Sequence, residues 1–362
     1  MRSPASARSS DRHVDVGSVR GRVAARTSGT GVRMTRIGYT LMTEQSGPRE
    51  LVRYAELAEA AGFDFEVSSD HYFPWLDSQG HAPYAWSVLG AVSQVTERVE
   101  LMTYVTCPTR RYHPAVVAQK AATLGLLSNG RFLLGLGAGE NLNEHVVGPW
   151  PGANVRHEML AEALEIINAL FDGGYVSFGG DHFQVDSAKL WDLPDQRVEI
   201  GVAVSGSQGV GLFAPAADHL IAVQPEAALV ADWDVARDGR PSRKIGQLPI
   251  CWGPDRDEAV RVAHEQFRWF GGGWKVNSEL PGPTAFASAT QFVRPDDVAS
   301  SIPCGPDLDA VVEAVQKYAD AGFTDIALIQ IGDASQQDFL DVAGKELLAM
   351  LHAELRPADG PA

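Results

Sequence analysis

The chain has 362 residues, of which 45% are apolar and 21% charged, a composition with ample material for a large core. Its formal net charge of −16 argues against non-specific nucleic-acid binding and against docking on an anionic membrane, and no apolar run reaches the length of a bilayer span. The three cysteines, Cys107, Cys251 and Cys304, are widely spaced with no CxxC pair, which suggests a reducing, cytoplasmic compartment and no metal site.

Residues 1–33 differ from the rest. Arg2, Arg8, Arg12, Arg20, Arg22, Arg26 and Arg33 face only Asp11 and Asp15, among many Ser, Gly and Ala. The absence of an apolar h-region and of a twin arginine argues against a secretory signal. The composition fits a disordered tail. It fits equally a start at Met34, because Met34 to Tyr39 opens the first strand.

From Arg36 onward, short strand-like runs alternate with amphipathic helices. Ile37 to Met42 reads as a strand. Pro48 to Ala61 reads as a helix with Leu51, Tyr54, Ala55, Leu57 and Ala58 on one face, Pro48 at its start and Gly62 as its stop. The pattern continues with a strand at Phe63 to Ser68, a helix at Tyr84 to Thr96, a strand at Glu100 to Val105, a helix at Pro114 to Leu127 closed by Asn129-Gly130, a strand at Phe132 to Gly137 and a helix at Val155 to Leu170. Residues 174 to 198 break the rhythm with a predicted β-hairpin, Tyr175 to Phe178 against His182 to Val185 around Gly179-Gly180. Then follow a strand at Ile200 to Val204, a helix near Val210, a strand at Leu220 to Val223, a weaker helix from Glu226, a strand at Ile245 to Cys251 and a helix at Asp257 to Phe270. Residues 271 to 306 are rich in Gly and Pro and are expected to be irregular, a length that usually carries function or caps a fold. A helix at Leu308 to Ala321, a strand at Ile326 to Ile331 and a helix at Phe339 to Leu355 complete the chain. Eight strand–helix alternations predict one (β/α)8 barrel over residues 34–358. A doubly wound sheet is the alternative, but no GxGxxG turn follows the first strand, and Gly135-Leu136-Gly137-Ala138-Gly139 comes after the fourth.

A barrel keeps its chemistry just past the carboxyl ends of its strands. Four segments lie there. After the second strand comes Ser68-Ser69-Asp70-His71-Tyr72-Phe73-Pro74-Trp75, followed by Gln79-Gly80-His81-Ala82-Pro83. A carboxylate beside His71 would orient it and keep it basic, with Asp70 as the expected partner; a turn-capping Asp and a solvent-facing His fit residue type equally well. After the third strand comes Tyr104-Val105-Thr106-Cys107-Pro108-Thr109, which by itself is an ordinary strand end with a proline turn. After the fourth comes Gly137-Ala138-Gly139-Glu140-Asn141-Leu142-Asn143-Glu144, whose glycines admit a flat ligand close to the backbone. Glu140 then points into the barrel mouth, and Asn143 can hydrogen-bond a ring edge. After the fifth comes Val204-Ser205-Gly206-Ser207-Gln208-Gly209, which can present backbone N–H groups to a phosphate. Trp269-Phe270-Gly271-Gly272-Gly273-Trp274 reads as an aromatic lid. The remaining histidines show no metal-ligand spacing, and no GxSxG motif supports acyl transfer.

Taken together, SSDHYFPW with QGHAP, PTRRYHPAVVAQKAATL and GAGENLNEHVVG resemble the luciferase-like oxidoreductases, in particular the branch that uses the deazaflavin coenzyme F420 and includes glucose-6-phosphate dehydrogenases. The resemblance runs from Met34, is best between Ile37 and Val147 and is weak after Phe213. It implies that Asp70 and His71 lie against the deazaflavin, with Trp75 and Glu140 beside the carbon that exchanges hydride. It implies that Tyr104-Val105 is the family's bulge, where a non-proline cis peptide backs the ring. Gly139 and Asn143 would belong to the cofactor site, and Ser205 and Gly206 would meet the cofactor's phosphate. His71 would take a proton from a substrate hydroxyl, Glu140 would exchange a proton at the ring, and Trp75 would offer its face to developing positive charge and exclude water. Where the family's sugar-phosphate dehydrogenases carry lysines, this chain aligns Glu226 and Ser300, and a carboxylate repels a phosphate. The reading is therefore hydride exchange between the deazaflavin and an alcohol or carbonyl compound other than glucose 6-phosphate, in an enzyme expected to pair as a homodimer. An FMN-dependent monooxygenase on the same barrel and a non-catalytic cofactor-binding relative are the alternatives.

Overall fold

In a computed structural model that describes residues 35–355, ten strands form: β1 (Arg36–Leu41), β2 (Phe65–Ser68), β3 (Glu100–Thr103), β4 (Phe132–Leu136), β5 (Val176–Gly179), β6 (Gln184–Ala188), β7 (Glu199–Ala203), β8 (His219–Ile221), β9 (Lys244–Ile250) and β10 (Asp325–Gln330). Eight of them close into a barrel in the order β1-β10-β9-β8-β7-β4-β3-β2, with every pairing parallel. β5 and β6 form the expected antiparallel hairpin outside it. The expectations for residues 1–33 lie outside the described residues, as do the last few positions before 358.

Local chemistry explains the best-defined elements. The helix Pro48–Ala61 starts at a proline, whose missing N–H would have no partner there in any case, and stops at Gly62, whose φ of 104° suits a residue without a Cβ. Leu51, Tyr54, Ala55 and Ala58 form its buried face. The helix Pro114–Leu127 also spans the expected residues. Residues 271 to 306 depart from expectation. They hold three short helices, Trp274–Asn277, Gly282–Ala289 and Pro295–Ala299. Each lasts only one or two turns, too few for an amphipathic period to emerge from the surrounding Gly and Pro.

Side chains alternate inward and outward along each barrel strand. Phe65, Val67, Met102, Leu133, Ile221, Ile245 and Ala327 fill the interior, and Tyr104, Val105 and Ala203 pack against them. At the amino-terminal ends of the strands, Arg243 Nη2 lies 2.7 Å from Asp325 and its Nη1 2.6 Å from Glu100, while Arg36 Nη1 lies 3.1 Å from Asp325. Asp325 begins β10 and Glu100 begins β3, so these ion pairs tie strands from opposite sides of the barrel and close that end.

Between Phe65 and Val67, Glu66 faces outward into the helix layer and is fully buried, yet neither carboxylate oxygen has a hydrogen-bond partner among the described residues. Burial, reinforced by the nearby Glu59, raises its pKa well above the ordinary carboxyl value, so the neutral acid is the favoured form. The folded state then binds a proton that the unfolded state releases near pH ~4.3, and stability falls as pH rises above that value toward the raised one. Glu66→Gln is expected to raise the melting temperature at pH 8, with the gain shrinking as the pH approaches 4.5. Thermal melts across that range check this; a variant less stable at every pH would contradict it.

Candidate active site

The carboxyl ends of the strands enclose a cavity of about 580 Å³ whose walls include His71, Trp75 and Glu140, a size ordinary for a small-molecule site. Asp70, Tyr104, Val105, Gly139, Asn143, Ser205 and Gly206 also line it, so every candidate read from the sequence borders the same space. The floor is apolar, with Val105, Ala203 and Ile221 continuing the barrel interior.

The local backbone sets up this convergence. Tyr104 still donates its N–H to Ser68 O at 2.7 Å, in register with β2, but the Tyr104-Val105 peptide is cis. Thr106 then bridges to Leu136, so the chain bulges once and resumes pairing on the other side. Gly139 follows β4 with φ at 86°, and a Cβ there would meet Cys107 Sγ at 2.4 Å. Only glycine lets the Glu140 segment pass this close to the strand beside it.

His71 is 8% exposed. Its Nδ1 lies 3.2 Å from Phe73 O and 3.3 Å from Glu44 Oε1, both acceptors. A hydrogen on Nδ1 satisfies them, which leaves the Nε2 lone pair toward Glu140 Oε2, 3.8 Å away. The carboxylate that orients His71 is thus Glu44, not the expected Asp70. Asp70 is occupied elsewhere: its side chain accepts from Thr106 Oγ1 at 2.7 Å, Tyr112 OH at 3.1 Å and Trp86 Nε1 at 3.2 Å. Arg111 donates to the Asp70 carbonyl at 2.6 Å and to Glu144 Oε1 at 2.9 Å. The Lys120 ammonium sits 3.5 Å from the centre of the Tyr112 ring, behind that hydroxyl. Asp70 therefore anchors the turn that carries His71.

Trp75 also differs from expectation. Its indole stacks on Trp269 at 4.0 Å and 10°, and the His71 ring stands tilted at 52° to it with 5.0 Å between centroids. The stack on Trp269 occupies one indole face that was expected to stand open to a developing cation. Its Nε1 donates to Glu44 Oε1 at 3.1 Å, and its backbone N–H donates to Gln79 Oε1 at 2.8 Å, which explains the Gln79-Gly80-His81 segment. Asn143 Oδ1 accepts from Tyr72 N at 2.8 Å and Phe73 N at 3.3 Å, so half of this amide fixes the His71 loop and its Nδ2 faces Glu140.

Glu140 keeps 15% of its side chain exposed. Burial raises its pKa to about 7, with Glu44 and Glu144 adding to the rise and His71 and Arg111 opposing it. Sequence reasoning missed Glu44 and Arg111. Glu44 follows the first strand, where the same rim rule applied, and Arg111 stood in the open in Thr109-Arg110-Arg111. Ser300 caps a short helix and lies off the cavity wall, whereas Glu226 is on it.

The profile of the luciferase-like monooxygenase family matches residues 31–325. A protein of Microbacterium testaceum named F420-dependent glucose-6-phosphate dehydrogenase is 35% identical over 87% of this chain and 97% of its own. One of the same name from Beutenbergia cavernae is 35% identical over 89% of this chain and 99% of its own. A solved structure described as an F420-dependent secondary alcohol dehydrogenase with an F420–acetone adduct superposes with a TM-score of 0.78 at 28% identity, covering 85% of this chain and 98% of that one.

The raised value for Glu140 means that its carboxyl is protonated below about pH 7 and ionised above it. Difference infrared spectroscopy of the apoprotein is expected to show a protonated-carboxyl C=O band that disappears through that pH and is absent from Glu140→Gln. A band unchanged in Glu140→Gln would contradict the assignment.

Proposed function

The chain belongs to the luciferase-like monooxygenase family, and on that footing we propose that it transfers a hydride between the deazaflavin coenzyme F420 and an organic alcohol or carbonyl compound. The observation that carries this reading is the meeting of His71, Trp75 and Glu140 on one cavity, against the Tyr104-Val105 bulge.

The residues present suit such a coenzyme. Val105, Ala203, Ile221 and Ile329 offer an apolar surface to a flat ring, and Gln224, Gln247 and Asn143 offer amides. An added Cβ at Gly206 would meet nothing within 4 Å among the described residues, so that backbone can approach a phosphate beside Ser205. Tyr104, Val105 and Gly139 would back the ring, with Asp70 behind the loop that holds His71. When bound, the deazaflavin supplies the hydride acceptor or donor.

The protein contributes position and proton control. His71 Nε2 takes the proton of a substrate hydroxyl in the oxidative direction and returns it in the reductive one. Glu44 fixes the ring orientation that leaves Nε2 free and stabilises the imidazolium that forms. Glu140, with a pKa of about 7, holds or releases a proton near neutral pH. Trp75 walls the site against water and packs against the His71 ring, tilted at 52° with 5.0 Å between centroids.

Titration of the purified apoprotein separates the cofactor readings. Tight binding of the deazaflavin and weak binding of FMN are expected. His71→Ala and Glu140→Gln should retain fold and cofactor binding and lower turnover by roughly 10²–10⁴. Tight binding of FMN alone with oxygen consumption would replace this reading by the monooxygenase one. Deazaflavin binding without reduction by any donor would mark a non-catalytic relative.

A further inference from the structure

We propose that the substrate is an uncharged alcohol or ketone with an apolar body of about aromatic-ring size, packed against Trp269, Phe270 and Trp274. This rests on the hydride-transfer reading above and names the substrate class it leaves open.

Charge is the first ground. The cavity wall carries Glu44, Asp70, Glu140, Glu144 and Glu226. Among the described residues its only guanidinium is Arg111, and no lysine lines it. Arg111 is committed: Glu144 Oε1 lies 2.9 Å from its Nε and Asp70 Oδ1 3.5 Å from its Nη2. An anionic substrate group brought into this space would lose its hydration and meet carboxylates with no free cation. Lys275, on the short helix Trp274–Asn277, is exposed and off the wall. The coenzyme's phosphate escapes the same objection, because Ser205 and Gln208 line the cavity at its solvent-exposed edge.

The second ground is the lid. Phe267, Trp269, Phe270 and Trp274 all face the cavity. Trp269 is held by its stack on Trp75, and Asn277 Nδ2 donates to its carbonyl at 3.2 Å. Asn141, next to Glu140, donates its N–H to Ser278 O and its Nδ2 to Glu279 O, each at 2.9 Å. The lid is thereby fastened beside Trp75 at one end and beside Glu140 at the other, which brings its aromatic side chains onto the cavity that His71 and Glu140 line. Trp274 lines the cavity yet is 45% exposed, an apolar ring with room to gain contact from an apolar substrate. In the oxidative direction the carbinol carbon loses its hydrogen as hydride to the deazaflavin, and the hydroxyl proton goes to His71, leaving a ketone. The reverse consumes one hydride and one proton.

The test uses protein loaded with the deazaflavin and follows bleaching of the coenzyme with 1-phenylethanol, cyclohexanol, glucose and glucose 6-phosphate. Expected is a kcat/KM for 1-phenylethanol at least ~100-fold above that for glucose 6-phosphate, because a buried unpaired charge is costly. Trp274→Ala should raise KM for 1-phenylethanol ~10-fold with kcat nearly unchanged, whereas Lys275→Ala should change neither. Acetophenone should quench tryptophan emission of the loaded protein, and its 4-carboxylate should not. Glucose 6-phosphate as the best substrate, dependence on Lys275, or no turnover of any neutral alcohol by protein that binds the deazaflavin would overturn the substrate class. Failure to bind the deazaflavin at all would overturn the cofactor reading as well, and the binding titration tells these failures apart.

Discussion

At the end of the first barrel strand, a carboxylate exposed by only 1% accepts hydrogen bonds from Trp75 Nε1, Ser69 Oγ and Thr43 Oγ1 and pairs with His71 Nδ1. The rest of the candidate site is built on this buried Glu44. Removing it would leave the indole N–H of Trp75 without its acceptor in a low-dielectric space, where an unmet group costs about 1–3 kcal/mol, and would leave His71 Nδ1 with the Phe73 carbonyl alone. It also fixes which imidazole nitrogen faces the cavity, and so which atom can carry a proton to or from a substrate. From Glu44 the chain of contact runs through Trp75 to Trp269 and on to the lid, and through His71 to Glu140.

The two ends of the barrel treat charge differently. At the amino-terminal end, Arg36 and Arg243 are matched by Glu100 and Asp325 in a closed network, as expected where only stability is at stake. At the carboxyl end, carboxylates outnumber the cation on the cavity wall. Their mutual repulsion adds to burial in raising Glu140, and burial raises Glu144. The imbalance that makes this end less comfortable electrostatically is what keeps a carboxyl able to change protonation near neutral pH.

The fold was legible in the sequence because its signals are local. Pro48 and Gly62 bracket one helix and Pro114 opens another, so these elements appear where expected. Strand limits shift by a residue or two, since a ladder ends where its neighbour ends. The helices of residues 271 to 306 were hidden by their brevity. In the site, His71, Trp75 and Glu140 were legible because each follows a strand. Their partnerships were not, because they are set across the barrel mouth. Nothing near Asp70 in the sequence reveals that Thr106, Tyr112 and Trp86 consume its oxygens. Nothing near Trp75 reveals that Trp269, far along the chain, covers its face.

The most direct test of the account is an isotope transfer. Protein loaded with the deazaflavin is given a secondary alcohol deuterated at its carbinol carbon, under exclusion of oxygen, and the coenzyme is examined by mass spectrometry. The account predicts one deuterium on the reduced coenzyme for each molecule of ketone formed, and loss of both signals in His71→Ala. Label appearing only in solvent, or ketone forming only when oxygen is admitted, would contradict it.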